Sequence, residues 1–267
     1  MPKKALPIFT VSAVLRFTPN MIRVTLQGSE IHRMRRGCEG ANCKLFFPSR
    51  EQSREGFDAQ LVDGPRPTVR TFTVRHMRAD QGELDIDFVD HGDTGPASRW
   101  ARSAVEGSFC GFGGPGTVKV PDFHADRYLI AADMSAIPVA AATLEAMPRD
   151  AVGDAFFDVM HVDDRQKIDA PVGIRQHWIV NPTPDRPTGE IEKLVRAWDW
   201  PTGSLQTCIA GESGLIKTLR QYLLVERKVP RDDAYISGYW KIGLIEDEHQ
   251  KMKREEREIA SCPTVVQ

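Results

Sequence analysis

Little in this 267-residue chain points to charge-driven binding, a cysteine scaffold or a membrane. Its 35 Lys and Arg nearly balance 37 Asp and Glu, and the formal charge of −2 gives no global reason to expect nucleic acid or an anionic bilayer as partner. No apolar run approaches the roughly 18 residues that span a bilayer. The opening MPKKALPIFTV lacks an apolar h-region and a small-residue cleavage site, so a cytoplasmic location without membrane insertion is expected. The five cysteines, Cys38, Cys43, Cys110, Cys208 and Cys262, are odd in number and scattered. With no C-x2-C pair they argue against a disulfide framework, a structural zinc and a cysteine-held iron–sulfur cluster, and are expected to be free packing thiols. Internal repeats, low-complexity segments, a catalytic triad and a carboxylate dyad are missing as well.

What is present is ordinary globular material in two rhythms. Hydrophobic residues make up 41% and charged residues 27%, and the length suffices for two domains with cores of their own. To about residue 120 the chain reads as short strands (9–16, 21–26, 43–47, 69–76, 83–88 and 108–111) separated by Pro, Gly, Asn and Asp, with one helix near 96–104. That pattern predicts a small antiparallel barrel. Beyond residue 127, apolar runs at 128–132, 155–160, 177–180, 207–210 and 234–237 alternate with helical patterns near 135–147, 189–198 and 214–228, the signature of βαβ units on a parallel sheet. Segment 115–126, with two prolines, is the natural hinge. The expected division is 1–122 for the barrel, 123–243 for the α/β unit and 244–267 for a charged terminal helix or tail.

Two stretches carry the chemistry. Arg70-Thr71-Phe72-Thr73-Val74-Arg75 alternates polar and apolar residues as a half-buried strand does, and supplies a ring face (Phe72), hydroxyls (Thr71, Thr73) and phosphate-binding cations (Arg70, Arg75). In Val89-Asp90-His91-Gly92-Asp93-Thr94-Gly95-Pro96-Ala97-Ser98, a Gly-Pro turn opens an apolar-periodic helix whose first N–H groups suit an anion. Together they describe a flavin dinucleotide site, the ring on the strand and the pyrophosphate at the helix start. His91 is expected to stack on or hydrogen-bond the cofactor, since no second histidine stands at metal-ligand spacing.

In the second half, Leu129-Ile130-Ala131-Ala132-Asp133-Met134-Ser135-Ala136 runs from strand into helix without G-x-G-x-x-G, so a Rossmann-type hold on NAD is not supported, although Ser135 can meet a pyrophosphate. Gly211, Glu212 and Ser213 repeat the arrangement at a later strand end, where ligands of such folds sit. After the strand near 155–160, Asp163 and Asp164 suit a ribose diol, and Arg165 and Lys167 suit a 2′-phosphate. The tail from Glu246 to Ala260 is densely charged. It reads as a solvated helix or as a basic surface of Lys251, Lys253 and Arg254 toward an anionic substrate.

The segments KLFFP (44–48), RTFTVR (70–75), DFVDHGDTGPASRWA (87–101), GGPG (113–116), AGESGLIKTLRQYL (210–223) and GYWKIG (238–243) occur in the order found in the siderophore-interacting protein family, which the chain resembles over most of its length. The resemblance implies flavin-containing ferric-siderophore reductases of the ferredoxin–NADP reductase superfamily: an FAD-binding β-barrel, then a nicotinamide-binding, Rossmann-like parallel sheet. It implies Arg70, Phe72 and Thr73 at the flavin and His91, Gly95, Pro96, Ala97 and Ser98 at its pyrophosphate and adenosine side. Asp133 to Ala136, with Tyr239 and Trp240, would serve NADH or NADPH. Phe72 stands where the family has tyrosine, and Ala132 and Ser135 stand for its glycine and threonine.

The implied reaction reduces chelated Fe(III) to Fe(II), held far less tightly by oxygen-rich siderophores, with a flavin turning a hydride pair into single electrons. A ferredoxin-type protein as electron donor, or a non-catalytic flavin or siderophore carrier, are the alternatives. For the ferric siderophore, Lys44 is the expected anchor: period two sets it on the strand face opposite Leu45 and Phe47, with its head toward water. Lys119 and Lys251 are further candidates.

Overall fold

The computed structural model describes residues 6–92, 95–244, 248–249, 251–252 and 255. Asp93 and Thr94 of the glycine turn, much of the charged tail with Lys253 and Arg254, and Cys262 lie outside the described residues. The first half is a closed antiparallel barrel of β1 (Ile8–Thr18), β2 (Met21–Gln27), β3 (Asn42–Phe47), β4 (Thr68–Arg78), β5 (Glu83–Val89) and β6 (Phe109–Gly113), in the order β1-β2-β5-β4-β3-β6. Strand alternation fills it: Cys43, Leu45 and Phe47 are buried while Asn42, Lys44 and Phe46 between them are half-buried. Phe9, Val24, Leu26, Val74, Ile86 and Phe112 complete the core.

Two helices accompany the barrel, where the sequence pattern indicated one. α1 (Arg54–Asp63) buries only Phe57, so it has no apolar stripe to read, and the hydroxyl of Ser53 caps it by accepting from Gly56 N. The expected helix, α2 (Pro96–Ser103), sets Trp100 against Phe47 and Phe88, with ring centroids 5.2 and 5.8 Å apart.

Between Gly113 and Arg127 the chain passes to a five-stranded parallel sheet, β7 (Arg127–Asp133), β8 (Val152–Val159), β9 (Gly173–Val180), β10 (Leu205–Glu212) and β11 (Ala234–Trp240), ordered β11-β10-β7-β8-β9. β7 and β10 are nearly continuous apolar runs because helices cover both faces. α3 (Ile137–Ala146) packs on one face with Ile130, Phe157 and Cys208. α4 (Glu190–Arg196) and α5 (Ser213–Gln221) pack on the other with Leu129, Phe156 and Ile209. The order reverses at β7, which opens a crevice beyond the carboxyl ends of β7 and β10.

Polar contacts lock the halves together. Arg75 leaves β4 to donate to both oxygens of Glu145 on α3, at 2.5 and 2.6 Å, with its Nε 3.9 Å from Asp87. Asp164, after β8, is fully buried and accepts from Thr18 Oγ1 (2.8 Å), Asn20 N (2.9 Å), Asn20 Nδ2 (2.7 Å) and His161 N (2.9 Å). This corrects the ribose reading of Asp164: its four acceptor sites are spent on the β1–β2 turn and its own loop, and no nucleotide reaches them. Cys38, Cys43, Cys110 and Cys208 are free and buried, and burial pushes the Cys110 and Cys208 thiols up to about 12.

Candidate functional site

The hexapeptide from Arg70 to Arg75 lies on β4, and pairing with β3 divides it between two faces. Phe72 lies opposite Cys43 and Arg70 opposite Leu45, so both share the inward side. The Phe72 ring sits 4.5 Å from Phe88 and 6.3 Å from Phe47, half-buried at the end of the barrel that α2 covers. Arg70 donates to Val69 O at 2.8 Å. Thr71 and Thr73 lie opposite Lys44 and Asn42 on the outer side, toward the second domain. The Lys44 ammonium donates to the Thr71 hydroxyl. Thr73 is buried and meets the phenol of Tyr239 from β11. Arg75, grouped by sequence with the cofactor residues, instead has its guanidinium committed to the domain interface.

At the α2 start, Gly95 is the N-cap and Pro96 follows, and among the described residues no side chain caps the helix. Its first N–H groups therefore suit an anion. Asp90 holds the turn before it by accepting from Gly92 N at 3.0 Å and from Arg16 at 2.5 Å. Ser98 is buried and donates to Gly92 O at 2.9 Å. The exposed His91 lies against Gly95, where a Cβ would stand 3.0 Å from its ring. Val89 packs toward the second domain, Ala97 packs on the barrel core, and Pro96 is exposed. A helix start that no described side chain caps, a neighbouring arginine strand and an outward hydroxyl fit a flavin dinucleotide.

The crevice at β7 and β10 is acidic and self-capped. Asp133 accepts from Ser135 N (2.9 Å), Ser135 Oγ (2.6 Å) and Trp240 Nε1 (2.7 Å). Gly211 has φ +149°, and a Cβ there would stand 2.5 Å from the Asp133 carboxylate, so only glycine admits this approach. Burial raises Asp133 above the usual carboxylate range. Beside it in register on β8 stands Asp158, pushed up to about 7 by burial and by the Asp133 charge. Glu212 caps α5 by accepting from Gly214 N (2.6 Å) and Leu215 N (3.0 Å). Ser213 hydrogen-bonds His249 at 2.8 Å, and Ala136 is the buried N-cap of α3. Asp158 was not singled out from sequence. It ends an apolar run and carries no motif, and only strand register brings it to Asp133.

Of the other candidate cations, Lys119 donates to Asn42 Oδ1 at 2.8 Å, and burial holds its ammonium below the usual lysine range. Lys251 is exposed 3.9 Å from Glu255, and nothing among the described residues joins it to the flavin motif.

A closed barrel followed by a doubly wound parallel sheet is the fold of the ferredoxin–NADP reductases. A ferredoxin NADP+ reductase from Neisseria gonorrhoeae with bound FAD and NADP superposes with a TM-score of 0.62 at 16% identity, covering 89% of this chain and all of that one, a likeness of fold. The model of the siderophore-interacting FAD-binding domain matches residues 10–119, and that of the siderophore-interacting protein matches residues 125–243. The ferric vibriobactin reductase of Vibrio cholerae is 34% identical over 240 residues, 87% of this chain and 88% of that protein. A siderophore-interacting protein from Aeromonas hydrophila superposes with a TM-score of 0.82 at 28% identity, covering 94% and 98% of the two chains. The chain belongs to the siderophore-interacting protein family, and it is a flavoprotein oxidoreductase.

Proposed function

We propose that the protein is an FAD-dependent ferric-siderophore reductase that releases iron in the cytoplasm by converting chelated Fe(III) to Fe(II). The observation that carries this reading is the start of α2, which no described side chain caps, beside the β4 motif in a chain related to a ferric vibriobactin reductase. When bound, FAD supplies two-electron uptake and one-electron delivery. Arg70 and the N–H groups of α2 would hold its pyrophosphate, Phe72 would flank the ring, and the Thr73 hydroxyl would face N5. Lys44, on the same outer face as Thr73, would draw an anionic ferric chelate to the ring edge. Lys44→Ala is expected to raise KM for an anionic siderophore several-fold at low salt, with FAD content unchanged. An unaltered KM there would reduce Lys44 to a partner of Thr71.

For the donor, the crevice at β7 and β10 is the place a nicotinamide dinucleotide would take. Asp133 and Asp158 favour a ribose diol over a 2′-phosphate, and hence NADH over NADPH. A second reading rests on a specific observation: Glu212 and Asp133 already occupy the N–H groups a pyrophosphate would need. A ferredoxin-type protein is then the donor. Rapid mixing with NADH, with NADPH and with a reduced ferredoxin separates the readings, because fast flavin bleaching by either nucleotide rejects the protein donor.

A further inference from the structure

β11 carries Tyr235, Ser237 and Tyr239 on one face, turned toward the core shared with α3. Phenylalanine would pack there without burying hydroxyls, which cost free energy unless they are partnered. The partners form a line. Tyr239 meets the buried Thr73 hydroxyl at one end. Its own OH lies 3.1 Å from the OH of Tyr235. Tyr235 in turn lines a cavity of about 80 Å³ between the linker and the starts of β10 and β11, bounded also by Lys119, Asp122, His124, Thr207 and Asp233. Thr207 is 2% exposed and its hydroxyl has no protein partner, so the cavity wall offers a polar site for water. At the rim, exposed His124 pairs with Asp233 at 2.8 Å.

We propose that Thr73, Tyr239 and Tyr235 form a proton relay that joins the flavin-facing end of β4 to the linker cavity and, through it, to solvent. This rests on the reading that places Thr73 at the flavin. The stoichiometry of the reaction requires that a proton leave, and the relay gives it a route. A hydride donor delivers two electrons and one proton, two Fe(III) centres take the electrons, and one proton has to leave: hydride donor + 2 Fe(III) → oxidised donor + 2 Fe(II) + H⁺. With a one-electron protein donor, a proton has to enter before it leaves. A hydroxyl can donate one hydrogen bond while accepting another, so a proton arriving at Thr73 can be matched by one released at Tyr235, with no net change in the relay. Burial pushes the Tyr239 phenol well above its ordinary range, which keeps it protonated and able to do both. Tyr235 and Tyr239 thus act as positioning residues for the proton, with Thr73 as the contact.

The test begins without cofactor. In FAD-free protein labelled with ζ-¹³C tyrosine in a 1:1 mixture of H₂O and D₂O, hydroxyl exchange at Tyr239 should average its protonated and deuterated signals. Tyr235→Phe, which keeps the ring, should slow this exchange about tenfold or more and split the signal. In FAD-loaded protein reduced beforehand, Tyr235→Phe should slow reoxidation by a ferric chelate about tenfold and enlarge the solvent isotope effect. FAD affinity and midpoint potential should stay at their wild-type values, which a merely structural effect would not respect. Tyr239→Phe should reproduce the slowed reoxidation. Split Tyr239 signals already in the wild type, or averaging that survives Tyr235→Phe, would overturn the relay. A failure to bind FAD would instead overturn the flavin reading while leaving the exchange result standing.

Discussion

Asp158 is a carboxylate whose environment takes it far from its chemistry in water. Its carboxyl sits beside Asp133 at the ends of β7 and β8, and burial together with that neighbour lifts it to about 7 from 3.8. Between those values the folded protein holds a proton the unfolded chain has shed, so stability falls as pH rises through that window and is level above it. Asp158→Asn removes the penalty. At pH 8 it should be more stable than the wild type by about 1–2 kcal/mol, after allowance for partial solvent exposure. Near pH 3, where both states are protonated, the difference should vanish. Urea melts at the two pH values check this, and an equal gain at both would show that Asp158 is not strained by charge.

At the scale of elements, the start of α5 decides how open the second domain is to a dinucleotide. Glu212 holds the two N–H groups that would otherwise face a pyrophosphate. Glu212→Ala should cost about 1 kcal/mol as a lost cap. It should also tighten the binding of NADH, measured by calorimetry, if this helix start receives the nucleotide. Weaker binding would show that the Glu212 carboxylate takes part in recognition. Elements were legible in the sequence where their period was strong. The six barrel strands and the alternation of the second half follow from their apolar spacing, and α2 from its Gly-Pro start. α1 was not legible because it buries a single side chain. The self-capping of α5 was not legible either, since AGESG reads equally as an open helix start until the Glu212 rotamer is known. Asp164 carries the same lesson. Its acidic pair with Asp163 looks like a ribose site in sequence, and only the return of the chain to the β1–β2 turn makes it a buried clasp.

For the whole molecule, the proposed function needs two domains held so that electrons and protons would meet at one face of β4. Arg75 and Glu145 join β4 to α3, and Asp164 joins the second domain to the β1–β2 turn. The Arg75 side chain is almost fully buried, so Arg75→Ala leaves Glu145 and Asp87 with less compensation. The loss should be about 3 kcal/mol. Chemical denaturation read by flavin fluorescence and by far-ultraviolet dichroism should then separate into two transitions as the domains uncouple. A single transition at unchanged midpoint would mean that apolar contacts such as Met21 against the second core hold the halves alone.

The proposed function stands on electron transfer from FAD to chelated iron. Protein loaded with FAD and photoreduced without oxygen, mixed with an excess of ferric siderophore and a ferrous chelator, tests it independently of the natural donor. Return of the flavin absorbance is expected together with about two trapped Fe(II) per flavin. Flavin that stays reduced, with no Fe(II) formed, would contradict it.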